Sequence, residues 1–284
     1  MDKKRRDFLK IAGVSTIAGL GGTAVVDRLV SGTSPVQSMA AKEIAGGEAG
    51  HKTSDDAHGA GHEAAKSGNR YGMVVDLREF KKNPALGDKI VEACHHTHNV
   101  PDFGKTKDEI KWVWMAEYEN AFTDHSQYHK DHGTLNNQVP VMCNHCDSPP
   151  CVRACPTRAT FQTKDGIVAM DYHRCFGCRF CMAACPYGMR SFNWRDPRGG
   201  LNMKKINKEF PTRMRGVVEK CNFCAERVSI GKQPACVEAC GDTKALVFGN
   251  LNDPKDPIRK LLKENYTIQR KPSLGTHPSV FYIV

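Results

Sequence analysis

The residues best suited to chemistry in this chain are its cysteines. There are thirteen; twelve fall into three dense groups and Cys94 stands alone. The densest group, CFGCRFCMAACP, places Cys175, Cys178, Cys181 and Cys185 at the spacing C-x2-C-x2-C-x3-C-P. Three thiols, each three residues from the last, let one loop wrap a face of an iron–sulfur cubane with backbone amides turned toward its sulfides. The fourth, carried onto the next helical turn and stiffened by Pro186, points away toward a neighbouring centre. A zinc site needs only four ligands and usually takes them from two C-x2-C knuckles, so this is a poor zinc pattern. A disulfide framework fits no better, because thirteen is odd and the spacing repeats.

Upstream, CNHCDSPPCVRACP sets Cys143, Cys146, Cys151 and Cys155 with a four-residue second gap stiffened by Pro149-Pro150. The same Cys-Pro ending recurs at Cys155-Pro156. Together the runs resemble the bacterial ferredoxin signature for [4Fe-4S] clusters, in which the fourth cysteine of each run ligates the other run's cluster. That crossover assigns Cys143, Cys146, Cys151 and Cys185 to one cluster, and Cys175, Cys178, Cys181 and Cys155 to its partner. Between the runs, two strand-like stretches flank Lys164-Asp165-Gly166 and predict a hairpin.

The third group, CNFCAERVSIGKQPACVEAC, separates Cys221 and Cys224 from Cys236 and Cys240 by eleven residues. With it in view, the chain is similar, from about Tyr71 to its end, to the four-cluster iron–sulfur subunits of molybdopterin oxidoreductases and of polysulfide or nitrite reductase complexes. Besides the cysteine spacings, CMAACPYGMRSFNW, VVEKCNFCAERV and ACVEACGDTKALVFGNLNDP carry the likeness. Within that family, an exported member with no membrane helix of its own resembles the iron–sulfur subunit of the membrane complex associated with dissimilatory sulfite reduction. The resemblance implies a subunit with no catalytic site of its own. It would relay single electrons between a polytopic, quinone-interacting membrane subunit and a periplasmic redox partner, a multihaem cytochrome c.

The resemblance also bears on Cys94. In the family, the first cysteine run follows a strand like YGMVVDL and supplies three close cysteines before a fourth. Here REFKKNPALGDKI contains none, and only Cys94 remains. This implies that one cluster is lost, leaving three [4Fe-4S] clusters. Cys94 is then retained as the fourth ligand beside Cys221, Cys224 and Cys236. Cys240, followed by Gly241 where the other runs have proline, becomes a free thiol. The alternative is that Cys240 closes the third cluster and Cys94 is a small buried hydrophobe.

The elements that must position these residues read as α+β: tandem bacterial-ferredoxin-like units with hairpin insertions and one cluster-binding loop lost, over residues 70–284. Residues 41–69 are Gly, Ala and small polar residues with little to bury, a flexible linker in which His51, His58 and His62 have no preorganised geometry. Residues 1–40 pair Arg5-Arg6 with an Ala/Gly-diluted apolar run, the layout of a twin-arginine export signal, with Ser38-Met39-Ala40 a possible end. An anchor or surface helix is the other reading of that segment; its glycines make it a poor spanning helix. No later apolar run approaches the roughly 20 residues of a membrane span. The expected location is therefore the periplasm, on the outer face of the cytoplasmic membrane, with membrane contact through partners.

Charge and the remaining motifs exclude several functions. The chain carries a formal +10. Residues 1–40 hold six Lys/Arg and three Asp/Glu, so the remainder carries +7. Three clusters at about −2 each, thiolates included, bring that to roughly +1, so the basic excess compensates cofactor and does not indicate nucleic acid. GLGG and GGTAVV lie in the export segment, with no preceding strand and no acidic residue placed for a ribose, which removes a dinucleotide site. No nucleophilic triad can be assembled once the cysteines are committed. His125, His129 and His132 read as a solvated helix face, His95, His96 and His98 as surface, and Trp112 and Trp114 as strand packing. From a different class, a zinc- or disulfide-stabilised exported binding module remains, as does an electron-transfer subunit of a molybdopterin, polysulfide or nitrite reductase.

Overall fold

The computed structural model describes residues 68–124 and 138–284. The export segment, the linker up to residue 67, and His51, His58, His62, His125, His129 and His132 lie outside the described residues.

From β1 (Tyr71–Asp76) the chain enters α1 (Leu77–Lys82) and α2 (Ala85–Thr97), which carries Cys94. Strands β2 (Val113–Glu117) and β3 (Gln138–Met142) pair antiparallel, with α3 (Tyr118–Ala121) after β2. The first cysteine run follows β3 and contains α4 (Pro150–Arg153). The hairpin of β4 (Thr160–Gln162) and β5 (Val168–Met170) leads to the second run and α5 (Phe180–Ala184). Strands β6 (Ser191–Phe192) and β7 (Val218–Glu219) pair before the third run, which holds α6 (Ala225–Val228) and α7 (Ala235–Cys240). The fold closes with β8 (Leu246–Asn250), α8 (Pro257–Glu264), β9 (Thr267–Ile268) and β10 (Val280–Ile283).

The largest sheet has the order β8-β1-β10-β9, with β1 parallel to β10 and the other pairs antiparallel. The middle four residues of β1 are all buried. Alternation along the strand sends Met73 and Val75 into the main core and Val74 to the other face, against Ile258 of α8. Both faces are covered, so the strand is apolar throughout instead of alternating with polar residues. At its end Asp76 caps α1, accepting from the Arg78 backbone N–H at 3.0 Å and pairing with the Arg78 guanidinium at 2.7 Å.

The helices that carry cysteines pack in two pairs, α4 on α5 and α2 on α7. Cys94, Cys143, Cys146, Cys221, Cys236 and Cys240 belong to the main core, and Cys151 and Cys181 to a smaller one with Val168 and Val218. A buried polar network locks α2 in place. Arg213 pairs with Glu219 at 2.6 Å, both essentially unexposed. The Arg213 guanidinium also donates to the carbonyls of His98 and Asn99, just beyond α2, and Trp112 Nε1 donates to Glu219 at 3.0 Å. Among the described residues, no helix is long and apolar enough to cross a membrane.

Candidate metal centres

The local backbone of the three cysteine runs shares one device. In each C-x2-C pair the residue before the second cysteine has positive φ: His145 at 41°, Gly177 at 82° and Phe223 at 54°. A left-handed residue there turns successive N–H groups and side chains inward on one point, forming a concave nest for an anionic group. Glycine adopts this conformation freely; at Gly177 a Cβ would also collide with the Gly216 carbonyl. His145 and Phe223 adopt it against their intrinsic preference. Their rings stack on one another with centroids 3.7 Å apart, so tertiary packing holds both turns. After the fourth cysteine, Arg158 and Gly188, each three residues on, again have positive φ; in the third run Gly241 does so directly after Cys240, with an extended ψ.

These turns gather the cysteines in fours. Cys143, Cys146, Cys151 and Cys185 line one cavity, with Pro149, Pro150 and Arg190 in its wall. Cys155, Cys175, Cys178 and Cys181 line a second, together with Phe176 and Arg179. In both, the fourth cysteine comes from the other run. The third group forms where α2 meets α7. Burial pushes the Cys94 thiol well above the ordinary range, and Cys221, Cys236 and Cys224 push it the same way. At Cys240 burial raises the thiol to about 11, the Leu246 amide and Lys89 oppose the rise, and its Sγ donates to the Cys236 carbonyl at 3.3 Å, one turn back. Cys240 acts on Cys236, behind Cys224 and Cys221.

The first group lies between the other two. After burial, Cys143 is the strongest influence on Cys221, whose thiol is pushed up to about 12. On the other side Cys151 acts on Cys181, where burial and then Arg190 are the larger influences. The His145–Phe223 stack joins the first group's loop to the third's.

The donor set fits iron–sulfur clusters. All thirteen cysteines are free. Burial, and after it Cys143, raises Cys146 to about 12. Buried thiols crowded this closely ionise only when a multivalent cationic centre accepts their charge. Backbone amides already point at sulfur: Phe223 N to Cys221 Sγ at 3.5 Å, Ala235 N to Cys224 Sγ at 3.4 Å, and Thr160 N to Cys155 Sγ at 3.5 Å. At Cys155 the half-exposed thiol is opposed first by burial, yet these amide and hydroxyl donors win and lower it. Among the buried side-chain donors without a protein partner are Arg190 Nη2, His145 Nε2 and Asn144 Nδ2, beside the first run. Inorganic sulfide supplies acceptors of the kind they lack.

The sequence-based reading of His98 as surface is overturned. His96 is exposed, and His95 is half-buried with Nε2 3.1 Å from the Val113 carbonyl, but His98 is only 1% exposed. Its ring stacks on Trp112, sits 2.8 Å from the Glu226 carboxylate through Nε2, and contacts the Cys94 carbonyl at 2.9 Å through Nδ1. Four residues after Cys94, one helical turn on, His98 continues the buried side of α2 just past its end. Burial opposes ionisation of Glu226, but the hydrogen bond and charge of His98, with the Glu226 backbone amide and Asn222, together outweigh it and lower that carboxyl. His98, Cys224 and Glu226 thus converge within 4.8 Å, and the contacts with the Cys94 backbone and with Glu226 hold the end of α2 against the loop that carries Cys224.

Comparison with known proteins agrees with this chemistry. A 4Fe-4S dicluster domain matches residues 136–199 and 206–251, which span all three cysteine groups. The iron–sulfur subunit 1 of the Hdr-like menaquinol oxidoreductase of Archaeoglobus fulgidus is 45% identical over 240 residues, 78% of this chain and 85% of that one. A polysulfide reductase subunit of Wolinella succinogenes is 39% identical over 217 residues, 75% of this chain and 94% of that one. The iron–sulfur cluster-binding subunit of the menaquinone reductase of Nitratidesulfovibrio vulgaris is 34% identical over 239 residues, 75% and 88% of the two. The protein belongs to the ferredoxin-like iron–sulfur subunits of the molybdopterin oxidoreductase and polysulfide or nitrite reductase family.

Proposed function

We propose that this chain is the electron-transfer subunit of a respiratory complex and relays single electrons through three [4Fe-4S] clusters. One would be held by Cys143, Cys146, Cys151 and Cys185, the second by Cys175, Cys178, Cys181 and Cys155, and the third by Cys221, Cys224, Cys236 and Cys94, with Cys240 a free thiol. The fold is then two tandem ferredoxin-like units, α4/α5 and α2/α7, the second having lost one cluster-binding loop. When bound, the clusters supply one-electron redox chemistry, and the chain's own part is to space, insulate and charge-balance them. The observation that carries the reading is the pair of cavities that are each lined by three cysteines of one run and the fourth of the other; the packing of α2 against α7 and the thiols that act on Cys94 support the third site.

The partners in this reading are a polytopic quinone-interacting membrane subunit at one end and a periplasmic redox protein, a multihaem cytochrome c, at the other, with twin-arginine export of the folded subunit. Relatives named for menaquinol and menaquinone oxidoreductases support the quinone side. The likeness to a polysulfide reductase subunit keeps a sulfur-compound or molybdopterin reductase as the other assembly. Iron and acid-labile sulfide analysis of anaerobically purified protein tests the cofactor: about twelve of each per chain is expected, and zinc without sulfide would sink the reading. Purification of the native complex from membranes, with identification of its subunits, tests the partners; a molybdopterin subunit in place of a cytochrome would select the second assembly.

A further inference from the structure

Arg190 is a buried cation with no anionic partner of the usual kind. It follows the second Cys-Pro, in CPYGMR, and is 5% exposed. Nη1 donates to Thr160 Oγ1 at 3.1 Å and lies 3.7 Å from Met170 Sδ. Nη2 is buried and has no partner among protein atoms, and no carboxylate pairs with this guanidinium among the described residues. The other buried cations near the cysteines differ. Lys220 donates to the carbonyls of Val168 and Cys221, and Arg213 pairs with Glu219. What surrounds Arg190 is thiol: it lines the first cavity beside Cys143 and Cys151, and after burial Cys151, Cys181 and Cys143 are the charges that act on it. Cys151 lines the first cavity, as does Arg190 itself, and Cys181 lines the second.

A guanidinium removed from water without a counter-ion is strongly disfavoured, so burial at this point requires negative charge on sulfur to either side. Resting on the three-cluster reading above, we propose that Arg190 is a positioning residue shared by the first and second clusters, donating Nη2–H to their sulfur and raising both reduction potentials relative to the third. The physics follows from charge: each reduction adds one electron's charge to a cluster, and a fixed cation with an N–H···S hydrogen bond stabilises the reduced form more than the oxidised one. The third quartet has a different buried cation beside it, Lys220, which donates to the Cys221 carbonyl at 2.7 Å.

The test is an EPR-monitored redox titration of the full-length holoprotein, wild type beside Arg190→Gln, Arg190→Met and Arg190→Lys, with iron and sulfide counted in each sample. In the neutral variants two of the three centres are expected to lose about tenfold in reduced-to-oxidised ratio at fixed poise, about 59 mV for one electron. The third should stay within about threefold, and lysine should recover most of the loss. No shift, or an equal shift of all three, overturns the proposal. If both neutral variants lose iron, lysine decides: restored iron with both potentials near wild type supports a role through charge, whereas iron still lost makes Arg190 a packing residue and overturns it. Absence of iron and sulfide from the wild type would instead sink the three-cluster reading, so the two failures are distinguishable.

Discussion

Serine at Cys94 and at Cys240 should have opposite consequences. Both cysteines are nearly unexposed, at 3% and 4%, and they sit on the helices α2 and α7 that pack together, so burial alone cannot tell them apart. Their surroundings can. Cys94 has Cys221, Cys236 and Cys224 as its main neighbouring charges, whereas Cys240 has a backbone amide and Lys89. Cys94→Ser should remove one of four thiolate ligands from the third site. The expected loss is about four of roughly twelve irons, or about one if the centre survives as a three-iron cluster, with a new EPR signal. Cys240→Ser keeps the small contact with the Cys236 carbonyl at 3.3 Å, because a serine hydroxyl can donate the same bond. Its cost should be no more than about 1 kcal/mol, with iron unchanged. The assay is iron and sulfide content and low-temperature EPR on anaerobically purified variants. Iron loss at Cys240 with none at Cys94 would refute the assignment, and loss at both would refute the free thiol.

Two further outcomes follow from the scaffold. Glu219→Ala removes the carboxylate that pairs with Arg213 and accepts from Trp112, leaving a buried guanidinium uncompensated; the holoprotein should lose about 3–5 kcal/mol by denaturant unfolding, and a loss below about 1 kcal/mol would remove this network as the clamp on α2. Asp76→Ala should cost about 1 kcal/mol at pH 7 through the lost cap on α1. Burial works to raise the Asp76 carboxyl, but the Arg78 side-chain and backbone hydrogen bonds outweigh it and hold the group below 3.8. A depressed carboxyl stabilises fully above its unfolded pKa and loses that contribution as pH falls through its folded one. The difference between wild type and variant should therefore hold down to about pH 4 and shrink below it; a difference that grows with acid would contradict the cap.

The amino-acid sequence by itself determined the parts of the sites that are local. Cysteines three residues apart, as at Cys175, Cys178 and Cys181 with Gly177 free to take positive φ, put their thiols on one side of a tight loop, because backbone geometry over a few residues decides where they point. The hairpin at Lys164-Asp165-Gly166 was legible for the same reason: Gly166 supplies the positive φ of its turn. Reading the fourth member of each quartet required a family resemblance, since spacing alone says nothing about which distant thiol will be near. Only the packing of α2 against α7 brings Cys94 under the influence of Cys221 and Cys236, which no spacing along the chain could show. The burial of His98 and Arg190 was likewise decided by tertiary structure. Hydropathy assigns both to water, and what overrides it is a set of partners drawn from elsewhere in the sequence. For His98 these are Trp112 and Glu226; for Arg190 they are Thr160 and the thiols of two quartets. A polar side chain is buried when the fold provides its hydrogen bonds, and that provision is a property of the assembled molecule.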